Sequence, residues 1–204
     1  MFRKRVVLTL IPLLFGSIMA GNSYAADSID QILEKARAEA GELAKLRRII
    51  NEEPDPNERL AAFELMVKSG DNTMLDIAID SGLASADRLL QSAAFKAAIM
   101  NLERLNLTLK VDKDASEKIR SASQAYLDEK GDQYLLPFDK KDVEKGTISA
   151  QHFNAQVIGT HLSYTYGRYG SGKLYLKDDN AVSGHITVNE GSKTLKFIAT
   201  TDIR

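Results

Sequence analysis

Apolar positions recur at helical spacing over the first two thirds of the chain and alternate with polar ones over the last third. Ile29, Leu33, Ala36, Ala40, Leu43, Leu46 and Ile50 predict a first helix, with Ser28 and Gln31 as its capping box and Glu52-Glu53-Pro54 as its end. Asp55-Pro56-Asn57-Glu58 opens a second with an N-cap aspartate and a proline whose missing N–H costs nothing there, and Gly70 closes it as a left-handed cap. A third helix, about residues 73–81, is expected to stop at Gly82. A fourth starts near Ser85 or Ala86 and runs to about Leu105. Asp114-Ala115-Ser116-Glu117 reads as the capping box of a fifth, which ends at Gly131. Leu107, Leu109 and Val111 alternate in the connection before it, the mark of a short extended segment.

Beyond Pro137 the period falls to two. Phe153, Ala155 and Val157 alternate with His152, Asn154 and Gln156. Leu162, Tyr164 and Tyr166 form the next inward set, then Leu174 and Leu176, then Val182, Ile186 and Val188, and last Leu195, Phe197 and Ala199. Glycine- and Asn/Asp-rich breaks at 159–160, 167–172, 178–180 and 189–192 supply tight turns. Five short strands joined this way predict an antiparallel meander, flat against the helices or curled into a small barrel, with one apolar and one wet face. The fold class is therefore α+β: an N-terminal helical domain, repeat-like or a plain bundle, at residues 26–131, a linker at 132–146 and a small antiparallel β domain at 147–204.

Residues 58–63 (Glu-Arg-Leu-Ala-Ala-Phe) align with residues 90–95 (Leu-Gln-Ser-Ala-Ala-Phe), a spacing of 32. A helix pair per unit, a proline-started first helix and Ala-Ala contacts make residues 55–105 resemble short HEAT-like helical repeats. The resemblance implies stacked helix pairs and assigns no activity. No family resemblance marks the β half.

The first 25 residues carry a different message. Arg3, Lys4 and Arg5 precede an apolar run to Ala20, and Ser23 and Ala25 are the small residues of a cleavage site before Ala26. This is the layout of a secretory signal peptide, and its run is too short for a membrane span. The expected location is periplasmic or secreted, with no transmembrane segment after cleavage. Cleavage takes three of 27 basic residues and none of the 28 acidic ones, leaving the mature chain at −4. That balance argues against nucleic acid as a partner. With no cysteine in the chain, disulfides, thiolate nucleophiles and thiolate metal sites are excluded.

The candidate chemistry is sparse. Residues 167–173 fit G-x-x-x-x-G-K, but Leu174 stands where a phosphate-binding loop needs Ser or Thr, and a strand pattern follows where it needs a helix. The stretch reads as a flexible hairpin loop. His152, His161 and His185 all fall on the expected wet face, at spacings too wide to share an ion. No hydrolase signature occurs. The expectations are accordingly no catalytic residue, no metal and no cofactor. Arg168, Tyr169, Lys173 and Tyr175, around one hairpin, are the candidate binding residues. A non-enzymatic binding protein of the cell envelope is expected, with a protein partner. A glycan- or peptidoglycan-binding β face is the alternative, and a carboxylate-dependent cell-wall hydrolase a further one.

Overall fold

The computed structural model describes residues 29–203; the expected leader and Ser28 lie outside the described residues. It contains five helices followed for the most part by nine strands: α1 Ile29–Glu52, α2 Pro56–Lys68, α3 Asn72–Leu83, α4 Arg88–Asn101, β1 Arg104–Val111, α5 Glu117–Lys130, β2 Gln133–Pro137, β3 Lys140–Asp142, β4 Thr147–Ala150, β5 Phe153–Ile158, β6 His161–Tyr166, β7 Gly170–Leu176, β8 Ala181–Glu190 and β9 Lys193–Asp202. This is the α+β architecture that the two hydrophobic periods predict. The chain divides at Ala38. Residues 29–38 are the first turns of α1, and all of them are exposed. From Glu39 onward the chain is one compact unit.

All nine strands form a single antiparallel sheet in the order β2-β1-β9-β8-β7-β6-β5-β4-β3, curled into a half-barrel. Most of the inward positions read from the sequence are buried: β5 alternates buried and exposed along its whole length, and Leu162, Leu174, Val182, Ile186, Leu195 and Phe197 are all core, whereas Tyr166 and Leu176 are half-buried against it. One cluster of buried side chains runs from these strands into α2, α3 and α4, where Phe63, Met66, Leu90, Phe95 and Ile99 meet it.

Several elements depart from expectation. The fourth helix ends at Asn101, not Leu105, because Leu105, Leu107 and Leu109 alternate into the sheet as β1, pairing with β2 and β9. Residues 132–146, expected to link the halves, carry β2 and β3, and β4 is a further strand that the meander reading did not separate. Gly82 is not a cap. It lies inside α3, where an added Cβ would meet Ala94 Cβ and the Phe63 ring, so its smallness lets α3 and α4 approach closely. The fifth helix starts from Ser116 without a side-chain capping bond. Asp55 and Gly70 behave as read: Asp55 accepts from Asn57 N at 2.8 Å, and Gly70 takes φ 75° just past α2.

The ends of the half-barrel differ. Alternate hairpins of a meander fall at opposite ends. Helices α3 and α4 lie against the end that holds the β3–β4 turn: Lys96 Nζ donates to Glu144 O at 2.8 Å, and Ile203 beyond β9 shares a cavity wall with Ile79 and Ala98. Lys141 of β3 donates to Met100 O and Leu102 O, satisfying carbonyls at the end of α4. The other end is flanked by α5, whose Tyr126 ring packs 5.6 Å from Phe197. Its buried Ser123 Oγ accepts from Lys196 N of β9.

Candidate functional site

The open end of the half-barrel is a cleft of about 710 Å³. Its walls come from elements far apart in sequence. α5 supplies Tyr126 and Lys130, β2 supplies Tyr134, the β4–β5 turn supplies Gln151 and His152, β6 and its turn supply Tyr166 and Tyr169, and β8 ends there with Asn189 and Glu190. Pro137 and Asp139 bring in the corner between β2 and β3. Only Phe138 and Asp139 separate those two strands, which stand at opposite edges of the sheet, so the chain holds the edges within about 11 Å of each other there. The cleft lies at the seam of an incompletely closed barrel. Barrel mouths are among the usual places for a ligand.

Four of the chain's seven tyrosines line this mouth. Tyr166 stands edge-on to Tyr169, centroids 5.3 Å apart, and to Phe153 beneath at 5.6 Å. Burial pushes the Tyr134 hydroxyl up to about 12, with Tyr126 and Tyr166 adding to the shift. Burial likewise raises Tyr126, and the Glu190 carboxylate reinforces it. A fifth ring, Tyr164, lies buried against Phe153, and burial raises its hydroxyl further still, with a contribution from Tyr134. Its Oη has no hydrogen-bond partner in the protein. Charge at the mouth is mixed: Lys130 is held protonated chiefly by its hydrogen bond with Glu129, with Glu190 also contributing.

Compared with family models, curated proteins and solved structures, the chain matches none. The site is therefore read from its geometry alone.

The four binding candidates divide between two surfaces. Tyr169 is in the mouth wall, and the Arg168 guanidinium stands over its ring at 5.5 Å. Lys173 lies on the outer face of the sheet, lining a separate depression of about 660 Å³ with His185, Thr187 and Lys196. Tyr175, 43% exposed, stands beside His161 with ring centroids 5.5 Å apart. Strand parity had put Lys173 and Tyr175 on the wet face; it could not show that Tyr169 turns toward the mouth.

Two further expectations are corrected. Residues 170–172 of the expected flexible loop are the start of β7. His152 is exposed as expected, but from the β4–β5 turn and not a strand: its backbone is left-handed (φ 62°), and the residue lines the mouth. His185 pairs through Nδ1 with Asp112 Oδ2 at 3.2 Å. Among the described residues no group of three His, Asp or Glu side chains is placed to hold a metal ion, and no helix is long and apolar enough to cross a membrane.

Sequence reasoning missed Tyr126 and Tyr134 because one lies in a helix and the other in a segment taken for a linker. The signal that could have found them was the scarcity of aromatic residues between residues 26 and 146, against which the two tyrosines flanking Gly131 stand out.

Proposed function

We propose that this is an exported, non-enzymatic binding protein of the cell envelope that holds its ligand in the tyrosine-lined mouth. The observation that carries the reading is the convergence of Tyr126, Tyr134, Tyr166 and Tyr169 on one cleft from three separate segments, α5, β2 and the β6–β7 hairpin. Tyrosine presents a large apolar face with a polar tip and loses little side-chain entropy on contact, which suits recognition. The cleft volume falls in the range of small-molecule sites. The leader-like first 25 residues support an envelope location.

Asp139 and Glu190 both line the mouth, which is the arrangement a carboxylate-dependent hydrolase would also need. Both are exposed. A general acid for glycoside hydrolysis relies on burial to hold its proton near neutral pH, so exposure favours binding over turnover.

The reading is tested by incubating purified protein with a solubilised envelope fraction, repurifying it, and identifying retained molecules by mass spectrometry. An Ala150→Trp variant fills the mouth from the end of β4. The expected result is a molecule retained by the wild-type chain and lost from the variant. Identical inventories from both would reject the mouth as the ligand seat.

A further inference from the structure

We infer that the ligand of the mouth is an oligosaccharide; the inference rests on the mouth being the ligand seat and names the class of molecule it takes. Three features of the cleft point the same way.

The first is the pairing of rings with planar hydrogen-bonding groups. Phenol rings offer electron-rich faces against which the C–H faces of a pyranose can lie, in the way such faces attract the positive edges of other groups. Beside them stand Gln151, an amide that donates and accepts, and Asp139 and Glu190, carboxylates that accept through two oxygens. Vicinal sugar hydroxyls need groups of this kind, since each hydroxyl both donates and accepts.

The second is the state of the main chain at the rim. A peptide bound as an added strand needs a row of free backbone groups. Here Tyr169 N donates to Tyr166 O at 2.7 Å, Asn189 N donates to Tyr169 O at 2.8 Å, and Arg168 O accepts from Asn189 Nδ2 at 3.1 Å. The edge strand β2 is five residues long and ends on Pro137, which has no N–H to offer. Recognition falls to side chains, and these are suited to hydroxyls.

The third is the balance of charge and the fate of polar groups. An acyl chain would gain only apolar area while stripping water from Lys130, Asp139 and Glu190. A neutral sugar replaces that water with its own hydroxyls.

The test uses the mature chain and three probes: chitotetraose, cellotetraose and a muramidase digest of cell-wall sacculi. The chain has no tryptophan, so its intrinsic fluorescence is that of tyrosine, and four of its seven tyrosines line the mouth. The inference predicts saturable binding of at least one probe with a Kd of about 1 mM or tighter. Tyr169→Ala and Glu190→Ala, both at exposed positions, should each weaken it about tenfold while the circular dichroism spectrum stays that of the wild-type chain. No saturable binding of any probe, or binding that both variants leave unchanged, would overturn the inference. If no sugar binds but the wild-type chain retains a peptide or lipid that Ala150→Trp loses, the oligosaccharide fails and the mouth stands. Equal retention by both chains removes the two together.

Discussion

The ring of Tyr169, 42% exposed at the β6–β7 turn, stands edge-on to Tyr166 with centroids 5.3 Å apart, and Tyr166 in turn stands edge-on to Phe153 in the core. A chain of rings thus leads from the rim of the mouth to the interior. The contact fixes Tyr169 in the wall without burying it. Tyr169→Ala should therefore cost little stability, about 1 kcal/mol, the worth of one edge-to-face pair. Urea unfolding checks this. A loss several times larger would make Tyr169 a structural residue and weaken its use as a probe of binding.

Close backbone approach holds β7 and β8 together. A Cβ on Gly184 would overlap Lys173 O and come within 3.0 Å of Leu174 Cα, none of which can swing aside as a side chain can. Gly184→Ala should destabilise by about 2–3 kcal/mol, the upper range for overpacking. Gly41 is the opposite case: it is exposed in α1 with nothing within 4 Å of an added Cβ. Gly41→Ala should stabilise by about 0.5–1 kcal/mol. The two midpoints in urea should move in opposite directions.

The mouth tyrosines predict a loss of stability in alkali. Burial favours the neutral phenol, so the folded-state value for Tyr134, about 12, exceeds the ordinary 10, and Tyr126 and Tyr164 shift the same way. An unfolded chain gives up these protons first. Stability from the three groups is fully present below pH 10 and declines as the pH rises toward 12. Ultraviolet titration should show phenolate absorbance from these rings appearing only at higher pH or together with unfolding. Tyr134→Phe should lessen the decline.

An acid-side counterpart lies at the start of α4. Arg59 donates to Asp87 Oδ2 at 2.9 Å, and Asp87 also caps α4 by accepting from Leu89 N and Leu90 N. The Arg59 hydrogen bond, followed by the two from the backbone, holds the Asp87 carboxyl below its ordinary 3.8. Its contribution to stability is present above that value and fades as the pH falls through the lower folded one. Asp87→Asn should flatten the acid limb of the stability profile; an unchanged limb would show that the pair does not couple to folding.

If the mouth binds without catalysis, an oligosaccharide incubated with the protein for hours at neutral pH should be recovered whole by mass spectrometry. Shortened products, absent with an Asp139→Asn and Glu190→Gln double variant, would make the chain a hydrolase.

The periods of the sequence made most of the fold legible. Asp55, Gly70 and Gly131 marked helix ends where they stand, and most of the inward positions of β5 to β9 are core positions. What stayed hidden was long-range. Leu105 fits a helical stripe as well as a strand, and only pairing with Leu136 makes it β1. Gly82 resembles a cap until Ala94 is brought against it. The mouth was hidden for the same reason. Of its tyrosines, Tyr166 and Tyr169 lay in a hairpin already singled out, whereas Tyr126 and Tyr134 reach it through α5 and the pairing of β2 with β1, which no local pattern announces.

The most direct measurement is the NMR spectrum of ring-labelled tyrosine in the protein as glycan and peptide fractions are added in turn. Tyr175, on the outer face beside His161, is the internal control. A ligand in the mouth predicts shifts at Tyr126, Tyr134, Tyr166 and Tyr169 with Tyr175 unmoved. Shifts at Tyr175 with the four mouth rings unchanged, under any fraction that binds, would contradict the account.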